Sequence, residues 1–122
     1  MFPRLGSVTL YVRSIETTIA FYEKHFGYVA KHFQEDRLIE LHSPNNGFQI
    51  NLHQAAKSLK KGQVLVKLVF EVKDVADFVA QSAERGLKFG PLHDGLGYYF
   101  SNAKDPDGNP IAVSGRAFST RL

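Results

Sequence analysis

The sequence predicts an α+β fold of two βαβββ modules, whose curved mixed sheets surround a cavity. Three observations predict it. First, Val8-Thr9-Leu10-Tyr11-Val12 leads through Ser14 and Ile15 into a helical stretch ending at Gly27, and Leu68-Val69-Phe70-Glu71-Val72 leads through Asp74 and Val75 into another ending at Gly86. Second, the copies close alike, with Pro44-Asn45-Asn46-Gly47 before Phe48-Gln49-Ile50-Asn51-Leu52 and Pro106-Asp107-Gly108-Asn109 before Pro110-Ile111-Ala112-Val113. Third, the strands alternate so that helices cover one face only. Two copies are too few for a solenoid array, which usually needs three or more repeats.

Each element has a local reason. The first strand covers 7–13, with Val8, Leu10 and Val12 on one face and Ser7, Thr9 and Tyr11 on the other. Ser14 reads as a helix N-cap, because its hydroxyl can take a backbone N–H that the first turn leaves unpaired. Ile15, Ile19, Tyr22 and Phe26 recur at helical spacing and form one apolar stripe. Gly27 ends the helix in a left-handed conformation. Strands follow near 28–33, 37–42 and 48–53, with turns at 34–36 and 43–47.

The second copy repeats the plan. A strand covers 66–72, and Asp74 caps a helix whose stripe is Val75, Phe78 or Val79, and Ala83. Gly86 ends it. Strands are expected near 87–89, 98–102 and 111–114, with a long glycine-containing loop over 90–97. Val8, Leu10, Val12, Phe48, Ile50 and Leu52 should pack under the first helix. Leu68, Phe70, Val72, Ile111 and Val113 should pack under the second. The opposite face is mixed and must meet solvent, a partner or a cavity. A concave, partly polar face suits a small molecule.

Composition narrows the function classes. At 122 residues and 43% hydrophobic, with ten Phe and five Tyr, the chain should form one domain over 1–122. Its modules run over about 5–54 and 64–116, joined by a basic linker that includes Lys57, Lys60 and Lys61. No run approaches the roughly 20 apolar residues of a membrane span, and the start lacks the apolar run of a secretory signal. There is no Cys for a disulfide or thiolate site. A cytoplasmic protein without membrane partners is the expectation. Net charge is +3 and the pI is near 9.2. The basic residues are mostly interspersed with acids, and the linker lysines read as a solvated segment, so no nucleic-acid partner is expected.

The start through Phe21-Tyr22-Glu23-Lys24-His25-Phe26-Gly27, the ending Asp105-Pro106-Asp107-Gly108-Asn109-Pro110-Ile111 and the duplication together resemble the vicinal oxygen chelate superfamily. That group includes glyoxalase I, extradiol dioxygenases and bleomycin-resistance proteins. The resemblance covers almost the whole chain and implies a glyoxalase-like fold. It also implies four metal-ligand positions on the opening and closing strands, typically His or Glu. Carried over, they fall on Ser7, Lys67, Asn51 (or Gln49 with a shift of two) and Ala112. Ser and Asn are poor ligands without anionic help, Ala has no donor, and an ammonium repels a dication. The expectation is therefore no metal and no cofactor. An improvised site from His42, His53 and Glu40 stays open.

The reading that follows is a metal-free protein that binds a small anionic or aromatic molecule. Lys67 would meet an anionic group. Ser7, Thr9, Gln49 and Asn51 would orient the ligand by hydrogen bonds. Tyr11, Tyr98 and Phe100 would stack on flat rings, and His42 and His53 complete the candidate set. Each has a plainer alternative: a lysine whose stem packs while its head reaches water, aromatic residues in a core or dimer contact, a solvated histidine at a strand end. A basic chain without Trp is a poor match for bleomycin itself. The alternative is a lyase, isomerase or dioxygenase with a non-standard metal site or metal-free acid–base chemistry, in which His42, Glu40 or His53 acts as base near Lys67. A vestigial module without a ligand is a third reading. By the same resemblance the chain is expected to form a homodimer.

Overall fold

The computed structural model describes residues 2, 4–34, 36–58, 60 and 66–119. Glu35 of the expected turn, and Leu59, Lys61 and Gly62 of the expected linker, lie outside the described residues, as does the expected start of the second module at 64. Two compact units divide at 59/60. Each has the predicted order of elements.

The first unit holds β1 (Ser7–Val12), α1 (Ile15–Phe26), β2 (Val29–His32), β3 (Ile39–His42) and β4 (Gln49–Gln54). Its sheet order is β1-β4-β3-β2. β1 runs parallel to β4, and the other pairs are antiparallel. The parallel pair requires a crossover, which α1 begins. Ser14 caps α1 by accepting the Thr17 N–H at 3.2 Å. Gly27 ends it at φ 70°, where its N–H reaches Glu23 O. The core of this unit is Val12, Tyr22, Leu41, Ile50 and Leu52, with at most 2% of each exposed.

The second unit holds β5 (Leu68–Glu71), α2 (Val75–Glu84), β6 (His93–Asp94), β7 (Tyr99–Lys104) and β8 (Pro110–Ser114). A short 3-10 turn, Arg116–Phe118, follows. The sheet order is β5-β8-β7-β6, with β5 parallel to β8. Asp74 caps α2 by accepting the Asp77 N–H at 3.0 Å. The β7–β8 turn is built on Asp105. Its carboxylate accepts the N–H groups of Asp107 and Asn109 at 3.0 and 2.9 Å and the Asn109 amide at 3.2 Å.

Four expectations need correction. Residues 87–89 form no strand; the edge strand is His93–Asp94, inside the expected loop. Chain entry to the edge is fixed instead by Gly90, whose N–H donates to Asn102 O and whose carbonyl accepts the Ser101 hydroxyl. Ala83 is exposed and Ser82 is buried, because Val75, Phe78, Val79 and Ser82 follow the i, i+3, i+4, i+7 spacing of one helix face. Phe48 is 45% exposed rather than packed under α1, since β4 starts only at Gln49. Ala112 and Ser114 do alternate with Ile111 and Val113 onto the opposite, mixed face of β8, but they are buried at 2% and 8% exposure rather than open. Among the described residues, no helix is long and apolar enough to cross a membrane.

Candidate functional site

Strand register decides which side chains share a face, because directly paired residues point the same way. In the first sheet Ser7, Thr9 and Tyr11 of β1 pair with Gln49, Asn51 and His53 of β4. Asn51 pairs with Glu40 of β3, and Glu40 and His42 pair with Lys31 and Val29 of β2. Seven of the nine residues expected to bind a ligand therefore lie on this one face. The remaining two, Lys67 and Tyr98, belong to the second unit.

The face carries a short relay of hydrogen bonds. The Gln49 amide donates to Asn51 Oδ1 at 2.8 Å, and the Asn51 amide donates to the Ser7 hydroxyl at 3.3 Å. Tyr11 and His53 lie ring to ring, with centroids 5.2 Å apart. His53 Nδ1 also meets its neighbour's carbonyl, Gln54 O, at 2.9 Å. Thr9 is exposed between them.

Glu40 and His42 are in hydrogen-bond contact, Oε1 to Nε2, at 2.8 Å, with 29% and 37% of their side chains exposed. Two residues apart on one strand, they point the same way. When the carboxylate accepts from Nε2–H, the ring's Nδ1 carries the lone pair. His42 borders an open depression of about 440 Å³ with Arg4, Ser43 and Gln49. Tyr28 supports the rim of this region. It is buried, and its hydroxyl donates to Phe48 O at 3.1 Å. Burial pushes its pKa above the usual 10.0, while a Ser43 hydrogen bond pulls it down.

In the second sheet Val69 pairs with Ala112, Ala112 with Asn102, and Phe100 with both Ser114 and His93. Lys67 precedes β5. Its ammonium donates to Asn102 Oδ1 at 3.1 Å and lies 6.0 Å from the Phe100 ring centroid. Tyr98 lies 6.3 Å from Phe100, and Arg116 stands 5.7 Å over its ring. Asn102 is a residue the sequence reading missed. The tight turn at 105–109 contained the information, because it sets Asn102 opposite Ala112.

The carried-over ligand positions do not suit a dication. Asn51 already accepts from Gln49 through its amide oxygen and turns its NH₂ to Ser7. Lys67 presents an ammonium held by Asn102. Ala112 has no donor atom. Among the described residues, no group of three His, Cys, Asp or Glu side chains is placed to hold a metal.

The family described as Glyoxalase/Bleomycin resistance protein/Dioxygenase superfamily matches residues 4–113 of the chain. Among solved structures, integron cassette protein VCH_CASS1 from the mobile metagenome of V. Cholerae is 30% identical, with 93% of this chain and 95% of that chain covered and a TM-score of 0.71. Virulence protein STM3117 from Salmonella typhimurium is 28% identical over 93% and 97% of the two chains, with a TM-score of 0.72. TnmS3, an antibiotic binding protein from Streptomyces sp. CB03234, is 19% identical over 93% and 96%, with a TM-score of 0.74, a likeness of fold alone. No curated protein sequence matches.

Proposed function

The chain belongs to the Glyoxalase/Bleomycin resistance protein/Dioxygenase superfamily, and on that premise we propose that it binds a small organic molecule without the superfamily's usual divalent metal site. One observation carries the reading. The positions that would ligate a metal hold an amide–hydroxyl relay, Gln49 to Asn51 to Ser7, and an ammonium paired to Asn102. Such groups orient a polar ligand; they do not neutralise a dication. In this reading the first unit's Ser7, Thr9, Gln49, Asn51 and His42 offer hydrogen bonds and its Tyr11 and His53 a ring surface; within the second unit, taken by itself, Lys67 offers an anion contact and Tyr98 a ring contact. That TnmS3 is an antibiotic binding protein supports the use of this fold for holding a compound. One cytoplasmic domain, paired as a homodimer, completes the proposal.

The test is metal analysis of the purified protein, followed by melting with and without added Ni²⁺, Zn²⁺ or Fe²⁺. Unchanged melting supports the reading. A stoichiometric metal that raises the melting temperature refutes it, because a ligand of the folded state must stabilise that state.

A second reading rests on the 2.8 Å Glu40–His42 contact beside the depression. A carboxylate that fixes one imidazole nitrogen leaves the other oriented as a proton acceptor. A metal-free enzyme that takes a proton from a bound carbon acid would use it. Deuterium exchange from solvent into a bound compound, abolished by His42→Asn, supports this reading; a compound bound without exchange supports binding alone.

A further inference from the structure

From the second sheet we infer the ligand's chemical class: a flat aromatic carboxylate, its ring on Phe100 and its charge on Lys67, with Asn102 as the positioning residue. The inference rests on the small-molecule reading of the preceding subsection and deepens it.

Two groups converge on one ring, that of Phe100. Phe100 is half-buried in β7. The His93 ring of edge strand β6 lies 5.0 Å from it, centroid to centroid, at a 31° tilt. The Lys67 ammonium lies 6.0 Å from the centroid. An aromatic face attracts both a cation and another ring, since its quadrupole is negative above the plane. An exposed lysine on a four-carbon stem can swing to admit a flat molecule while staying near the ring's edge. The carboxylate of that molecule then takes the ammonium's donors, and its ring replaces the cation over Phe100.

Asn102 explains why Lys67 is aimed there. Its Oδ1 accepts from Nζ at 3.1 Å, and its strand position, opposite the buried Ala112, is fixed by register. An amide oxygen holds an ammonium without neutralising it, so the positive charge stays available to a ligand. An acid at this position would cancel it. The cluster therefore selects on two features at once, planarity and negative charge.

The experiment titrates the full chain with 1-naphthoate by ligand-observed NMR and calorimetry, beside 1-naphthamide and cyclohexanecarboxylate at equal concentrations. The expected order is naphthoate tightest, the uncharged amide about tenfold or more weaker, and the non-planar acid about two- to tenfold weaker. Lys67→Gln should erase the preference for acid over amide. Phe100→Leu should erase the preference for the planar acid. Asn102→Ala should weaken naphthoate severalfold in the native background and leave affinity unchanged in the Lys67→Gln background, which separates aiming of the lysine from a general structural effect. Circular dichroism and melting verify that each variant is folded. Equal binding of all three probes, or equal preference in the Phe100→Leu variant, overturns the inference. If the naphthoate series fails while another small molecule binds, this inference falls and the binding reading stands. If a broad small-molecule library yields no binder, both fall.

Discussion

Asp105→Ala should be among the most damaging single substitutions in the second unit. Asp105 is 5% exposed, and its carboxylate accepts three N–H donors, two from the backbone of its own turn and one from the Asn109 side chain. Its backbone closes the same turn, with the Asp105 N–H donating to Asn109 O and the Asp105 carbonyl accepting from Gly108 N–H. A hydrogen bond to a charged group contributes about 1.5–3 kcal/mol, and bonds sharing one acceptor add less than fully. The expected loss is about 3 kcal/mol, including the cost of leaving turn N–H groups unpaired. For a chain of this size that is roughly 10 °C or more in melting temperature. Asp105→Asn should cost about half as much, because one oxygen still serves the two backbone donors while its NH₂ faces that of Asn109. Urea unfolding followed by circular dichroism measures both. If Asp105→Ala unfolds within about 0.5 kcal/mol of the native chain, the range of an ordinary surface substitution, the turn is not held by this carboxylate.

The remaining predictions concern single atoms. Ser82→Ala should stabilise by about 1 kcal/mol in urea, because its buried hydroxyl has no hydrogen-bond partner among the described residues and Ala is the better helix former. Gly95→Ala should destabilise by about 1–3 kcal/mol and change the near-UV dichroism of Tyr98, since a Cβ there would overlap the Tyr98 ring. Tyr28 holds its proton more tightly when folded, because burial raises its pKa above 10.0. Its contribution is complete below that unfolded value and is lost as pH rises through the folded one. Melting temperature should therefore fall above pH 10, and Tyr28→Phe should flatten that fall at a constant cost for the lost bond to Phe48 O.

Local chemistry made much of the fold legible. Ser14, Gly27 and Asp74 mark helix ends through their own hydrogen bonds or conformations, so no tertiary information was needed. The short edge strand was illegible for the opposite reason. His93 and Asp94 carry no strand pattern of their own, and they pair because Phe100 and Tyr99 present a ladder. Ser82 was hidden by residue type, since a hydroxyl occupies a position that helical phase assigns to the core. The mixed face of the first sheet followed from alternation on β1 and β4. The 2.8 Å Glu40–His42 contact followed only in part, because spacing gives a shared face but not a distance. The position of Asn102 opposite Ala112 was within reach of the local β7–β8 turn, but its hold on Lys67 required the parallel pairing of β5 with β8, strands far apart in sequence.

In the proposed metal-free reading, hydrogen-bonding groups and an ammonium occupy the positions that the superfamily resemblance assigns to dication ligands. Calorimetric titration of chelator-treated protein with Zn²⁺ tests it most directly. No saturable heat is expected at one ion per chain. A one-to-one isotherm that disappears in the Asn51→Ala variant would contradict it.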